Sequence, residues 1–155
     1  MNSPVKAASD RVKIRFELDP DNEQGYEVEN LWAEPLGRDH FRILNAPFFV
    51  FGVSSEDVVR ATRSGQMFRF REVARRGRHS TYRIFLQNDY TIHDDEFQQH
   101  WRPISTLGST FENANDRFVA VDIPPEVNVS EVYRLLKKGE EEGIWAFEEG
   151  HYAGA

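Results

Sequence analysis

The sequence FVAVDIPPEVNVSEVYRLLKKGEEEG, residues 118–143, decides the fold of the second half of the chain. Apolar residues run up to Ile123 as in a buried strand, and Pro124-Pro125 ends that strand because proline has no backbone N–H to donate. An apolar spacing typical of a helix follows, with Ser130 as its predicted N-cap and Gly143 as its terminator. A strand followed directly by an amphipathic helix indicates a helix packed on a sheet.

Elements of matching type flank this stretch on both sides. Three more strands are predicted, at residues 81–86, 110–112 and 144–147. A helix is predicted to begin at Asp94-Asp95-Glu96, because carboxylates suit the free N–H groups of a first turn, and Pro103 is expected to kink or shorten it. The resulting order, β-α-β-β-α-β, predicts a ferredoxin-like unit over residues 80–150, with a tail at 151–155.

The first half has the two-residue period of short strands. Strands are predicted at residues 12–18, 27–35, 41–45, 58–61 and 67–73, joined by polar turns. They predict a small β-barrel-like unit over residues 12–77, behind a flexible N-terminus at 1–11. The fold class predicted for the whole chain is therefore α+β. One continuous sheet that merges both halves is the alternative.

A dense apolar run at residues 47–53 carries three phenylalanines. Phe48, Phe49 and Phe51 are expected in the core, although neighbouring side chains of a strand point to opposite faces. An exposed phenylalanine in this run would mark a contact surface.

Composition excludes several classes of protein. The 155 residues are 39% hydrophobic and 13% aromatic, which is too apolar for intrinsic disorder, and no run of about 18 apolar residues could span a membrane. The absence of cysteine removes disulfides, thiolate metal sites and thiol nucleophiles. No apolar signal segment follows Met1, so we expect a cytoplasmic protein with no membrane association and no cofactor.

Charge is distributed unevenly along the chain. The net charge is −7, yet residues 60–83 hold eight arginines and one glutamate, a local charge of +7 that leaves −14 for the rest. One interpretation is that these arginines pair with the protein's own acids across a sheet. The other is a surface for a small anionic ligand, a phosphate or an acidic peptide. A nucleic acid is disfavoured as a partner, because the acidic remainder repels a polyanion.

The segment that joins the two halves combines cations, hydroxyls and an imidazole. If the chain has a ligand site, we place it at this junction, with the lining residues Arg69, Arg71, Arg78, His79, Ser80 and Tyr82. The alternatives are a turn that fixes the packing of the halves, with Arg69 and Arg71 paired to strand acids such as Glu17 or Glu34, and a catalytic role for His79 as a general base.

Strand alternation limits that site. It places Arg69 and Arg71 on one face of their strand, with the neighbouring phenylalanines on the other. It also places Ser80 and Tyr82 opposite His79. A bulge or turn near residue 77 is needed to bring all six residues into one pocket.

A second cluster superficially resembles a metal site. His93-Asp94-Asp95-Glu96 is followed by His100, but the spacing does not place two imidazoles one helical turn apart. We predict a helix start here and no metal.

Several short motifs, each weak alone, are specific in combination. They are residues 31–37 (LWAEPLG), 45–49 (NAPFF), 52–54 (GVS), 57–59 (DVV), 77 with 79–83 (HSTYR), and 118–126 (FVAVDIPPE). Through them the chain after residue 11 resembles an uncharacterised bacterial family of small stand-alone proteins classed as a domain of unknown function. The resemblance implies a bacterial protein and supplies no activity and no catalytic residues. Pro103 departs from the uninterrupted helix that the family implies.

Three functions remain open at this point. The first is a non-enzymatic binding protein, immunity- or antitoxin-like, whose acidic surface meets a basic protein partner. The second is a small-ligand or phosphate-binding domain at the arginine-rich junction. The third is an unrecognised hydrolase or transferase that uses His79 with a distant carboxylate. We favour the first, because the sequence assembles no catalytic constellation.

Overall fold

The computed structural model describes residues 10–22 and 25–154. Within them it has the mixed α+β fold predicted, with two helices and two sheets. The elements in chain order are β1 (Val12–Glu17), β2 (Val28–Gly37), β3 (His40–Ile43), β4 (Val58–Ser64), β5 (Met67–Arg75), β6 (Ser80–Leu86), α1 (Asp95–Thr106), β7 (Thr110–Asn115), β8 (Phe118–Ile123), α2 (Val129–Glu141) and β9 (Trp145–His151).

The first five strands form one sheet that closes on itself. Successive strands pair antiparallel, and β5 returns to β1 in a short parallel contact at Ile14–Phe68 and Arg15–Arg69. Alternate side chains of each strand fill the interior, where Ile14 and Phe16 are at most 1% exposed. This sheet therefore has a core of its own.

The last four strands form an antiparallel sheet in the order β7-β8-β6-β9. Both helices bury their apolar residues against one face of it. In β6, Tyr82 and Ile84 point into this second core, whereas Thr81, Arg83 and Phe85 point the other way, toward the first sheet and the segment 47–53. The central strand β6 thus carries the contact between the two halves.

The helix ends differ from the prediction in two places. Asn128 caps α2, because its side chain accepts the N–H of Glu131, and Ser130 lies inside the first turn instead of capping it. Pro103 does not interrupt α1, which continues to Thr106. A proline removes one helical hydrogen bond, and the burial of Phe97, Trp101 and Ile104 on the same helix offsets that loss.

The first turn of α1 has the predicted acids, but no side chain among the described residues caps its free N–H groups. Asp94 stands at the N-cap position, but its carboxylate accepts the N–H of Thr91 and no cap hydrogen bond from the helix. The acids of the first turn itself are Asp95 and Glu96, as the sequence indicated.

The dense apolar run at residues 47–53 forms a loop. The strand β9 ends at His151, so the first residue of the tail predicted at 151–155 belongs to this strand. Beyond it, Ala153 donates its N–H to the Ser80 hydroxyl at 3.0 Å. The flexible N-terminus predicted at 1–11 falls, through residue 9, outside the described residues, and the boundaries proposed for the two units stay predictions.

Candidate functional site

The six residues predicted to line a ligand site lie on different surfaces. Arg69 and Arg71 project from the outer face of β5, where Arg69 pairs with Glu17 at 3.5 Å and Arg71 donates to the Thr62 hydroxyl at 2.7 Å. Tyr82 faces the helices and is 4% exposed. The structure therefore does not bring this set into one pocket.

The other three members surround the turn into β6. Arg78 is exposed and has a φ of 70°, the left-handed conformation of a tight turn. His79 is mostly buried and contacts Asp122, and Ser80 is 3% exposed and accepts the Ala153 N–H. These contacts tie the junction to β8 and to the chain's end, as the structural alternative expects.

Four of the eight arginines in residues 60–83 contact acids of the protein, namely Arg60, Arg69, Arg76 and Arg83. Arg60 contacts Glu72 at 2.7 Å, Arg76 contacts the fully buried Asp57 at 3.0 Å, and Arg83 contacts a further acid on β9. The interpretation of internal pairing therefore accounts for these four contacts.

For the catalytic alternative, the structure provides an imidazole and a carboxylate that orients it. The His79 ring lies 2.8 Å from Asp122 through Nδ1, and burial raises the pKa of the Asp122 carboxyl, against the opposing effect of His79. Among the described residues no serine or threonine hydroxyl hydrogen-bonds the other ring nitrogen. Ser54 and Thr81, 2.6 Å apart, bond to each other instead. An oriented imidazole without a nucleophile fixes the junction but does not assemble a triad.

A site that the sequence analysis did not identify is built around the loop 47–53. Glu29 lies on the inward-facing side of β2 and is 8% exposed. Its carboxylate accepts the N–H groups of Phe48, Phe49 and Val50 at 2.7 to 3.0 Å. A buried carboxylate with three N–H donors is well satisfied, so one side of the loop is fixed to the first sheet.

Arg83 fixes the other side of the same loop. Its side chain is 0% exposed and donates to the carbonyls of Val50, at 2.9 Å, and Pro47, at 3.3 Å, and to Glu148 at 2.9 Å. A Cβ placed on Gly150 would lie 2.9 Å from its Nη1, so a side chain at this position would press on the guanidinium. The guanidinium is thus enclosed by backbone and paired with an acid.

The Phe51 ring stacks on the Arg83 guanidinium with 4.5 Å between Cζ and the ring centroid, yet the side chain is 62% exposed. It borders a groove of about 610 Å³ that opens where β1 and β5 diverge beyond their two paired positions. The groove also has acidic lining residues, which are Glu17, Asp19, Asp21 and Glu148. An aromatic ring and carboxylates converge there on one concave surface.

One signal in the sequence pointed to this site, because Glu29 alternates with the apolar Leu31 and Ala33 on one face of its strand. Arg83 alternates with Thr81 and Phe85, and only the structure shows that this face is buried as well. A charge on a buried face needs partners there, and the neighbouring loop of backbone groups supplies them.

Among the described residues, neither helix has the length and apolar character needed to cross a membrane. The same residues contain no group of three or more histidine or acidic side chains arranged to hold a metal ion.

Comparison with known proteins gives a family and a fold. A family model described as "Domain of unknown function (DUF4265)" matches residues 29–147. The crystal structure of a hypothetical protein from Neisseria gonorrhoeae is similar with a TM-score of 0.76 over 94% of this chain and 96% of that one, at 16% sequence identity. That likeness shows a shared fold. No curated protein matches the chain significantly.

Proposed function

The chain belongs to the family described as a domain of unknown function (DUF4265), whose description assigns no activity, and we propose from its geometry that it is a cytoplasmic, non-enzymatic binding protein. The groove beside the loop 47–53 takes a basic segment of a protein partner. An immunity- or antitoxin-like role, in which an acidic protein covers a basic one, is the class of function that this surface fits.

The observation that carries this proposal is the exposed ring of Phe51. A phenylalanine that is 62% exposed usually lies on a mobile surface, but here Glu29 and Arg83 hold its loop through backbone contacts on both sides. An apolar ring fixed in an exposed position is already ordered for binding, so an incoming partner would lose little loop entropy.

Charge favours a basic occupant. The chain carries −14 outside residues 60–83, and Asp19 and Asp21 line the groove beside Glu17, which already lies 3.5 Å from Arg69. The charged groups of a partner's arginine or lysine side chains would pair with these carboxylates, and their aliphatic stems would pack on the Phe51 ring. The acids would also speed the encounter at low salt.

The test is affinity purification from the native host followed by identification of the bound protein. We expect a basic protein to co-purify with the wild type and to be lost with Phe51→Ser. Leu107→Ser is the matched control, because Leu107 is an exposed apolar residue at the end of α1, and it should retain the partner. Asp19→Asn with Asp21→Asn should weaken retention at low salt, since it removes two charges.

Two results would overturn the proposal. One is recovery of a metabolite with no protein. The other is a partner that Phe51→Ser and wild type retain equally.

A small anionic ligand remains a second candidate, supported at a place other than the predicted one. A cavity of about 570 Å³ beside the β2–β3 turn is lined by Arg38, His40 and Arg75. Converging cations suit a phosphate group. Titration of inorganic phosphate, followed by NMR, should shift the amides of these residues saturably, and linear shifts at millimolar phosphate would dismiss this candidate.

We also propose the finer description of the two units. The parallel return of β5 to β1 supports a small β-barrel-like unit. The order β7-β8-β6-β9, with two helices on one face, supports a ferredoxin-like unit.

A further inference from the structure

A third pocket lies on the helix side of the second sheet, on the face opposite to Arg83. Its volume is about 240 Å³, and it is lined by the first turn of α2, by β9 and by the residue that follows β9. The lining residues are Tyr82, Val129, Ser130, Tyr133, Glu149 and Tyr152. Three of these six are tyrosines.

Two of the three tyrosine rings stand at a steep angle to each other. Tyr82 and Tyr133 lie 6.2 Å apart between centroids at 61°, and Phe147 packs behind both. Tyr133 and Tyr152 are 46% and 44% exposed, although tyrosines of the core would be buried. Burial against the core accounts for Tyr82, which is 4% exposed, but not for Tyr133 and Tyr152.

One carboxylate completes the pocket. Glu149 pairs across the strands with Tyr82 and accepts its hydroxyl hydrogen at 3.2 Å. Burial, followed by the charge of Glu149, raises the pKa of the Tyr82 hydroxyl, so that hydroxyl stays protonated and fixes one carboxylate oxygen. Two cations on α2 close to Tyr133 in the chain are paired with acids of the same helix, Arg134 with Glu131 and Lys137 with Glu140, both at 3.0 Å.

These contacts define what the pocket can bind. The faces of aromatic rings carry negative electrostatic potential, and a carboxylate adds a full negative charge. A compact cation that is weakly hydrated gains most from such walls, because it has little hydration to lose. We propose that Tyr82, Tyr133, Tyr152 and Glu149 form an aromatic cage for a methylated ammonium group, either of a free small molecule or of a methylated lysine side chain.

The test is titration with choline, followed by calorimetry and by NMR of the intact protein. Saturable binding that shifts the amides of residues 129–133 and 149–152 is expected. The uncharged analogue 3,3-dimethyl-1-butanol has the same shape with carbon in place of nitrogen. It should not bind, because the attraction to the rings depends on the charge.

Substitutions at the exposed tyrosine separate ring chemistry from shape. Tyr133→Phe keeps the aromatic face and should bind choline within about twofold of wild type, whereas Tyr133→Leu should weaken it about fivefold or more. Glu149→Gln should weaken it as well. Tyr26→Leu is the matched control, since Tyr26 is 55% exposed and outside the pocket, and it should bind as wild type does.

A trimethyllysine peptide in place of choline identifies the source of the ammonium group. Tighter binding of the peptide assigns the site to a modified protein, and tighter binding of choline assigns it to a free metabolite. Equal binding of choline and dimethylbutanol, choline binding that Tyr133→Leu leaves unchanged, or no saturable binding of either ammonium compound would overturn the proposal.

Discussion

Glu29 and Arg83 hold the same four-residue loop segment from opposite sides. The Glu29 carboxylate, on a strand of the first sheet, accepts backbone N–H groups of residues 48–50. The Arg83 guanidinium, on the central strand of the second sheet, donates to the backbone carbonyls of residues 47, 49 and 50. The two charges do not bond each other directly, so this loop segment is one of the elements that couple the two halves.

Replacing Glu29 by glutamine should destabilise the protein strongly. Glutamine keeps one acceptor oxygen but turns an NH₂ group toward backbone N–H donors, and it removes the charge that strengthens all three bonds. We expect the free energy of unfolding to fall by roughly 2–4 kcal/mol in denaturant titration. Glu27→Gln, at an exposed site two residues away, should change it by less than about 0.5 kcal/mol.

Arg83→Lys should also be costly, although it conserves the charge. One ammonium cannot replace a planar guanidinium that reaches an acid and three carbonyls at once. A loss of roughly 2–4 kcal/mol in the free energy of unfolding is expected, against about 0.5 kcal/mol or less for Arg69→Lys in an exposed ion pair. Equal effects of the two substitutions would contradict the role assigned to Arg83.

A double-mutant cycle tests the coupling through the loop. If Glu29 and Arg83 fix the same segment, losing one contact frees the loop and reduces what the other can stabilise. The combined loss in the free energy of unfolding should then be smaller than the sum of the single losses by about 0.5 kcal/mol or more. Additive losses would show that each charge acts on its own half.

The sequence predicted the elements better than the site, and the reason is physical. Alternation in β6 shows that Tyr82 and Arg83 face opposite ways, but it does not say that both faces are buried. Burial of the second face depends on the loop at residues 47–53, which is distant in the chain. A dense apolar run was expected in the core, and only its contacts with Glu29 and Arg83 show why Phe51 is left exposed.

Gly139→Ala tests how tightly α2 packs on the second sheet. In an exposed helix this change stabilises by about 1 kcal/mol, because glycine lacks helix propensity. Here a Cβ would collide with the ring of Trp145, which is 1% exposed and donates its indole N–H to Leu136. We expect a loss of about 1–3 kcal/mol in the free energy of unfolding, the opposite sign. A stabilised variant would mean that the indole moves aside easily.

The observed N-cap of α2 is tested by a pair of alanine substitutions. Asn128→Ala removes the side-chain acceptor of the Glu131 N–H and should lower the free energy of unfolding by about 1 kcal/mol. Ser130→Ala, at the position that the sequence had favoured, should change it by less than about 0.5 kcal/mol. Thermal unfolding of both variants at one pH distinguishes the two positions, and the reverse order of effects would restore Ser130 as the cap.

The stability of the protein should depend on pH through His151. Burial, and then the charge of Arg76, lower the pKa of His151 below its ordinary value of 6.5. As the pH falls through that value, the unfolded chain binds a proton that the folded chain does not yet accept. Stability is therefore complete above the unfolded pKa and is lost as the pH falls through it toward the lower, folded value.

Denaturant titrations at pH 7 and pH 5 should show a smaller loss for His151→Gln than for wild type. The exposed His93→Gln should retain the wild-type loss, because the surface pair of His93 with Asp116 contributes little. If His151→Gln loses as much stability on acidification as wild type, then the paired strands β6 and β9 accept a charged imidazole at residue 151.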